Sequence, residues 1–499
     1  MSHAPEPAPP PAAAGDALAG RAGPRRRSPR AVGPGSRLAA KLAAWLLAGC
    51  ALGGGCTRCQ TAPGPSDALA VVGGTVIDPR DGTARADRTI LIEGDRIVAV
   101  GPRDDVDVPE GAEVVDARGR WVVPGLVDAH VHFFQSGGPY TRPDVIDRRD
   151  RMSYAAEVAR TRGRLDRTLR RWLATGVTAV ADLGGPLWTL RLRARARGMD
   201  LAPHVAAAGR LVATVARPRL DLGDPPIVRA RDPAHAARLA RQQLDHGADF
   251  VKFWFIHRPG DDLEAQTDLL RAMVEVADAR GAPVVVHATR LEVAEAALRA
   301  GADILAHSVR DAPVGETFLR LARDRDAVYV PTLFVDVGYD LALSGHFEPT
   351  PLERARGDEV VIDELRAMPE RGEGGPFRAG AVARANLRRV HDAGITVAIG
   401  SDAGNIGTLH GPGYLREIRA VADAGLEPAA VLRAATLGGA EVMGLEDRIG
   451  LVAPGRLADL VVLDEDPLAD AAHLASVHRV VRGGEVRAPD ALLSSSGAR

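Results

Sequence analysis

The sequence predicts an α/β fold: a (β/α)8 TIM barrel carrying a small β-sandwich-like domain formed from both chain ends. Three features of the 499 residues point there. Between about 124 and 446, short apolar runs alternate eight times with helical stretches. β-rich runs lie both before and after that region. Histidines, a lysine and an aspartate fall at the ends of the apolar runs, where such barrels carry their chemistry. The length suits a barrel plus a smaller module. Hydrophobic residues make up 46% and aromatics only 4%, so the core is large and aliphatic. With 63 basic against 65 acidic residues the net charge is −2, which offers nothing to nucleic acid or another polyanion.

In chain order, residues 1–50 read as an address. Pro, Ala, Gly and Arg dominate the first 37, which are expected to be disordered. Arg25, Arg26, Arg27 and Arg30 then precede the apolar stretch Leu38 to Gly49, broken only by Lys41. It is too short for a comfortable membrane span and reads as a secretory signal. Its end, Leu47-Ala48-Gly49-Cys50, resembles a bacterial lipobox. The resemblance implies lipidation of Cys50 and an exported lipoprotein, periplasmic or on the cell surface, touching the membrane only through its anchor. Cys56 is a weaker second candidate, and a plain secretion signal or a misplaced start codon stays open. Residues 51–67 read as a tether. The remaining cysteine is Cys59, so residues 60–499 can hold neither a disulfide framework nor a cysteine metal site.

Residues 68–123 carry β-rich runs: Val71 to Ile77, then Thr89 to Glu93 and Arg96 to Val100 flanking the hairpin signal Gly94-Asp95, then Ala112 to Val115 and Trp121 to Val123. The same texture returns in 447–490, at Leu457 to Leu463 and Val477 to Val486. The simplest arrangement is one sheet domain fed by both ends, with the barrel of 124–446 inserted. Residues 491–499 are left as a disordered tail.

The eight apolar runs are Leu126–Phe134, Val177–Leu183, His204–Val212, Phe250–Phe255, Val284–Ala288, Ile304–Ser308, Val328–Phe334 and Thr396–Ser401. Continuous runs suit strands buried on both faces. Helical stretches between them include Arg160–Ala174, Pro233–His246, Leu263–Arg280, Leu291–Ala300, Glu316–Arg323 and Ala379–Asp392. Long insertions, roughly 135–158 and 335–378, are expected to shape a pocket.

The first run carries Asp128-Ala129-His130-Val131-His132. Alternate residues of a strand share a face, so both imidazoles can reach one ion. The fourth run carries Lys252 between Val251 and Phe253-Trp254. Only two of the 63 basic residues are lysines, Lys41 and Lys252, although arginine serves everywhere else. An amine among apolar neighbours is costly when charged. It is either a snorkelling edge lysine, a member of a buried ion pair, or an amine that takes up CO2 as a carbamate bridging two cations, a reaction closed to arginine. His287 and His307 end the fifth and sixth runs at matching depth, as a ligand pair would. Asp402 ends the eighth, placed to bind metal and to take a proton from a bridging water.

Together these residues resemble the amidohydrolase superfamily, in its imidazolonepropionase-like and Xaa-Pro dipeptidase-type branch. The likeness spans about 68–490 and includes Ala435-Thr436-Leu437-Gly438-Gly439-Ala440 and the stretch from Gly450 to Leu463. It implies two divalent cations, zinc being usual, with His130 and His132 on the more buried one and His287 and His307 on the more exposed one. Carboxylated Lys252 would bridge both, and Asp402 would ligate the first and shuttle protons while a metal-bridging hydroxide cleaves a C–N bond of a small molecule. Esters, lactones or phosphotriesters are the alternative substrates, and a non-catalytic metal-stabilised binding lipoprotein is the alternative class. Arg210, Arg290 and Arg310 are candidates to clamp a substrate carboxylate. His257, His410 and Tyr140 are candidates to orient substrate. A homo-oligomer is compatible with everything above.

Overall fold

The computed structural model describes residues 68–370 and 380–494. Cys50, the signal segment, the tether and the residues beyond 494 lie outside them. The protein is an α/β structure built on mixed and parallel sheets. Among the described residues no helix is long and apolar enough to cross a membrane.

One eight-stranded sheet draws on both ends of the described chain. Ala68–Asp78 pairs antiparallel with Thr83–Glu93, which pairs with Arg96–Pro102 across the Gly94 turn. The two ends meet where Trp121–Pro124 lies antiparallel to Leu460–Leu463. Leu69, Val71, Ile90, Val122, Leu460 and Val462 fill its apolar face.

The remaining strands are parallel. Leu126–Val131, Val177–Asp182 and His204–Ala207 form one sheet. Leu211–Ala213, Val251–Trp254, Val284–His287, Ile304–Ala306 and Val328–Val330 run in that order through another, with Ile227–Arg229 at its edge. Each strand residue of Leu126–Val131 and Val177–Asp182 is buried, as the continuous apolar runs require. Helices Pro233–Asp245, Leu263–Arg280, Leu291–Ala300, Glu316–Asp324 and Ala381–Asp392 follow the strands. Leu263–Arg280 starts under an Asp262 side-chain cap and ends at left-handed Gly281.

Four local expectations change. The third run is two strands, His204–Ala207 and Leu211–Ala213, because Gly209 turns left-handed (φ 72°) between them. The helix expected over Arg160–Ala174 is two, Tyr154–Gly163 and Leu165–Ala174, broken at Arg164. The seventh run stops at Val330, since Leu333 already begins the helix Leu333–Ser344. Its first amides donate to the buried Glu417 carboxylate at 2.8 and 2.6 Å. The eighth run forms no regular strand. The Ile399 amide turns to Ala434 O (3.1 Å) and the Ser401 amide to the Asp128 carboxylate (3.0 Å), which diverts two donors from the ladder. The segment still hydrogen-bonds on both sides. On one edge Tyr329 donates to Thr396 O and accepts from the Ala398 amide; on the other Ala129 donates to Ile399 O and the Asp402 amide donates to His130 O.

The Gly438-Gly439 pair has a packing cause. A Cβ on Gly438 would sit 2.1 Å from Val397 O, and one on Gly439 would sit 2.5 Å from Val127 Cβ. Their turn therefore lies directly on the segment that carries Asp402. Gly438→Ala is expected to cost about 1–3 kcal/mol of stability in denaturant unfolding, as overpacking against backbone does.

Candidate metal centre

Asp128 sets the frame of the site. Its carboxylate accepts the Ser401 hydroxyl (2.5 Å), the Ser401 amide (3.0 Å) and the His130 amide (3.1 Å). The Asp402 amide in turn donates to His130 O at 2.8 Å. The first and eighth positions are thereby bolted together, and His130 and Asp402 face each other. Burial pushes the Asp128 carboxyl up to about 7 despite these bonds.

The six candidate ligands from the sequence line one cleft of about 300 Å³. His132, His130, His307 and His287 form a chain of rings with centroids 5.2, 5.0 and 4.3 Å apart. Asp402 Oδ1 lies 3.1 Å from His132 Nε2 and 3.4 Å from His130 Nε2, and its Oδ2 lies 3.9 Å from His307 Nδ1. His130, His132 and Asp402 bring their ligand atoms within 4.8 Å of one another. Lys252 is 1% exposed and in electrostatic reach of His130, His287, His307 and Asp402. His307 (φ 75°), Thr332 (φ 45°) and Asp402 (φ 55°) hold left-handed backbone at the strand ends, a strain typical of functional positions.

The electrostatics favour ligand forms. Burial, reinforced by the Lys252 charge, holds the His130 and His287 imidazoles far below the usual histidine range. His307 is likewise held far down by burial, then by His287, His130 and Lys252. Burial draws the Lys252 amine down to about 7, Asp402 pulling weakly the other way. His132 Nδ1 is 2.6 Å from Gly184 O, so it carries the proton and leaves Nε2 as a lone pair. His307 Nδ1 meets Thr332 Oγ1 at 2.7 Å, which leaves its Nε2 free.

These residues fit a metal. His130 Nδ1 and Nε2, Lys252 Nζ and Asp402 Oδ1 are buried without a hydrogen-bond partner among the described residues, an arrangement native proteins avoid unless something else satisfies it. The His132 Nε2 lone pair points at an Asp402 oxygen 3.1 Å away. Two acceptors at that distance repel unless a proton or a metal cation sits between them, and a metal cation fits the pair.

The other sequence candidates, Arg310 apart, fall outside the cleft lining. Arg210 is held by Asp224 at 2.7 Å, outside the cleft lining. Arg290 is an exposed partner of Glu292 (2.8 Å). Arg310 does line the cleft, but Asp336 neutralises it. His257 bonds Gln266 Oε1 at 2.8 Å. Tyr140 is half-buried beneath the Arg148 guanidinium. His410 is buried behind the centre, stacked on Phe133, with its Nε2 3.2 Å from His132 O. It steadies the His132 backbone and does not face the cleft.

Arg142, Asp144, Arg217, Tyr339 and Asn405 line the same cleft without standing out in the sequence. Nothing distinguishes two arginines among 61. The only available signal was position: Arg142 and Asp144 sit in the insertion after the first strand.

Comparison with known proteins agrees with this geometry. The model of the "Amidohydrolase family" matches residues 121–487. A 5-methylthioadenosine/S-adenosylhomocysteine deaminase of Symbiobacterium thermophilum is 27% identical over 438 residues, covering 83% of this chain and 88% of its own. An imidazolonepropionase of Streptomyces avermitilis is 27% identical over 396 residues, covering 76% and 81%. The crystal structure of a Xaa-Pro dipeptidase with bound methionine superposes with a TM-score of 0.64 at 22% identity, over 84% of this chain and 99% of that one, and so shares the fold.

Proposed function

This chain belongs to the amidohydrolase family, and from that premise we propose that it is a binuclear metal-dependent hydrolase cleaving a C–N bond of a small molecule. The observation that carries the reading is the set of buried, partnerless polar atoms on His130, Lys252 and Asp402, gathered with three further imidazoles in one cleft. The named relatives, a deaminase and an imidazolonepropionase, and the dipeptidase structure direct it toward C–N bonds.

We read the parallel strands and the 396–402 segment as one closed (β/α)8 barrel. The bonds of that segment to both its neighbours support closure. The eight-stranded sheet is read as a separate module of 68–123 and 447–490.

His130 and His132 would hold one cation and His287 and His307 the other. Lys252 would bridge them as a carbamate, the role that a buried amine drawn down toward neutrality can take up and arginine cannot. When bound, divalent cations bring the pKa of water toward neutrality and polarise the scissile group. Gly184 O fixes the His132 tautomer, and Thr332 orients His307. Asp402 Oδ1 has no hydrogen-bond donor and is the atom placed to receive a proton and pass it to the leaving nitrogen. Ser401 and Asp128 hold its backbone still meanwhile.

The test is metal content per chain after loading with zinc, followed by a screen against dipeptides, N-acyl amino acids and lactones. Two metals per chain and chelator-sensitive amide hydrolysis are expected. Turnover of lactones alone would move the reading to esters, and a chain that takes up no metal would end it.

A further inference from the structure

Beside the candidate metal centre, two arginines of the cleft lining, Arg142 and Arg217, turn to one carboxylate, Asp144, and do not share it equally. Arg142 is fully committed. Its Nε and Nη2 grip the two oxygens of Asp144, each at 2.8 Å, and its Nη1 donates to Asn405 Oδ1 (3.0 Å) and Tyr339 Oη (3.3 Å). That fork occupies the Asp144 carboxylate, whose side chain is only 5% exposed.

Arg217 is left over. It has one oblique contact to Asp144 Oδ2, 3.2 Å from its Nε. Its Nη1 donates to the adjoining Ala216 carbonyl (3.1 Å), and its Nη2 has no partner among the described residues. The guanidinium carbon also lies over the Trp254 ring, 4.9 Å from the centroid, within cation–π range. Arg142 and Arg258 add positive charge within electrostatic reach. Arg310, the other arginine of the lining, is matched by its own Asp336. A guanidinium that lies over an indole, is three-quarters buried and shares its one carboxylate with a better-placed arginine has donors to offer a planar anion.

Its placement says what the anion belongs to. The Trp254 ring that carries Arg217 also meets His287 edge-on, with centroids 5.9 Å apart. The guanidinium and a candidate ligand therefore touch the same indole. We propose that Arg217, braced by the Arg142–Asp144 pair, is the subsite for a substrate carboxylate, so that the enzyme acts on amides bearing a free carboxylate near the scissile bond. This rests on the hydrolase reading above. The apolar lining of Leu211, Ile227 and Ile256 leaves room for an uncharged remainder.

The test is a calorimetric titration of the zinc-loaded full chain with a panel of N-acetyl amino acids and their carboxamides, alongside turnover of the same compounds. At least one acid is expected to bind roughly ten- to hundredfold tighter than its carboxamide, the range of a charge-assisted bidentate contact. Arg217→Gln is expected to bring acid and carboxamide to the same affinity, while Arg290→Gln, a surface control, keeps them apart. Equal affinity of every acid and carboxamide in the unaltered protein, or an undiminished preference in Arg217→Gln, would overturn the subsite. Hydrolysis of carboxamides as fast as acids would sink the subsite and leave the hydrolase reading standing. Selective binding without turnover of any amide would do the reverse.

Discussion

Lys252→Met is expected to abolish the metal centre while making the metal-free protein more stable. The amine is 1% exposed and its Nζ has no hydrogen-bond partner. A thioether of similar length fills the same space without a polar atom to desolvate, which should gain on the order of 1–3 kcal/mol in chelator-treated protein. The same change removes the bridge. Metal content should fall below one ion per chain, and kcat/KM by at least about three orders of magnitude, since activated water is the main source of rate in such sites. Lys252→Ala should lose metal equally, but it leaves room for a small acid, so propionate or bicarbonate with excess zinc should return part of its activity. Full activity in metal-loaded Lys252→Met would remove Lys252 from the mechanism.

Asp402→Asn is expected to separate metal binding from proton transfer. The amide is isosteric, and the backbone bonds that hold residue 402, from its N–H to His130 O and through Ser401 to Asp128, do not involve its side chain. The fold and most of the bound metal should survive, held by the four imidazoles and Lys252. The amide cannot accept a proton, so kcat should fall roughly 10²- to 10⁴-fold, the usual worth of a positioned acid–base group. Because the loss lies in the proton step, kcat should carry it and KM should change little. A kcat within threefold of the unaltered enzyme would assign proton transfer elsewhere.

What could be read in advance follows from the physics of each feature. The buried strands and their helices were legible because burial on both faces leaves an uninterrupted apolar run, and because caps such as Asp262 and Gly281 punctuate helices locally. The ligand candidates stood out because His130, His132, Lys252, His287, His307 and Asp402 are polar residues where the run should stay apolar. The irregular eighth position was not legible, for it depends on partners remote in sequence: Ala434 for Ile399 and Asp128 for Ser401. The arginine candidates misled for a related reason. Whether an arginine is free or neutralised depends on which acid faces it, and Asp224, Glu292 and Asp336 took Arg210, Arg290 and Arg310. Arg217 differs only because Arg142 reached Asp144 with the better geometry.

The hydrogen bonds joining Asp128 to Ser401 span 273 positions of the chain. During synthesis, therefore, the four imidazoles and the amine emerge long before the carboxylate that completes their set. A nascent or prematurely terminated polypeptide lacks that pairing, and with it the facing placement of His130 and Asp402. On the reading proposed above, metal uptake in the finished geometry would report that translation has run past residue 402 and that the segment carrying Asp402 has met the strand carrying His130.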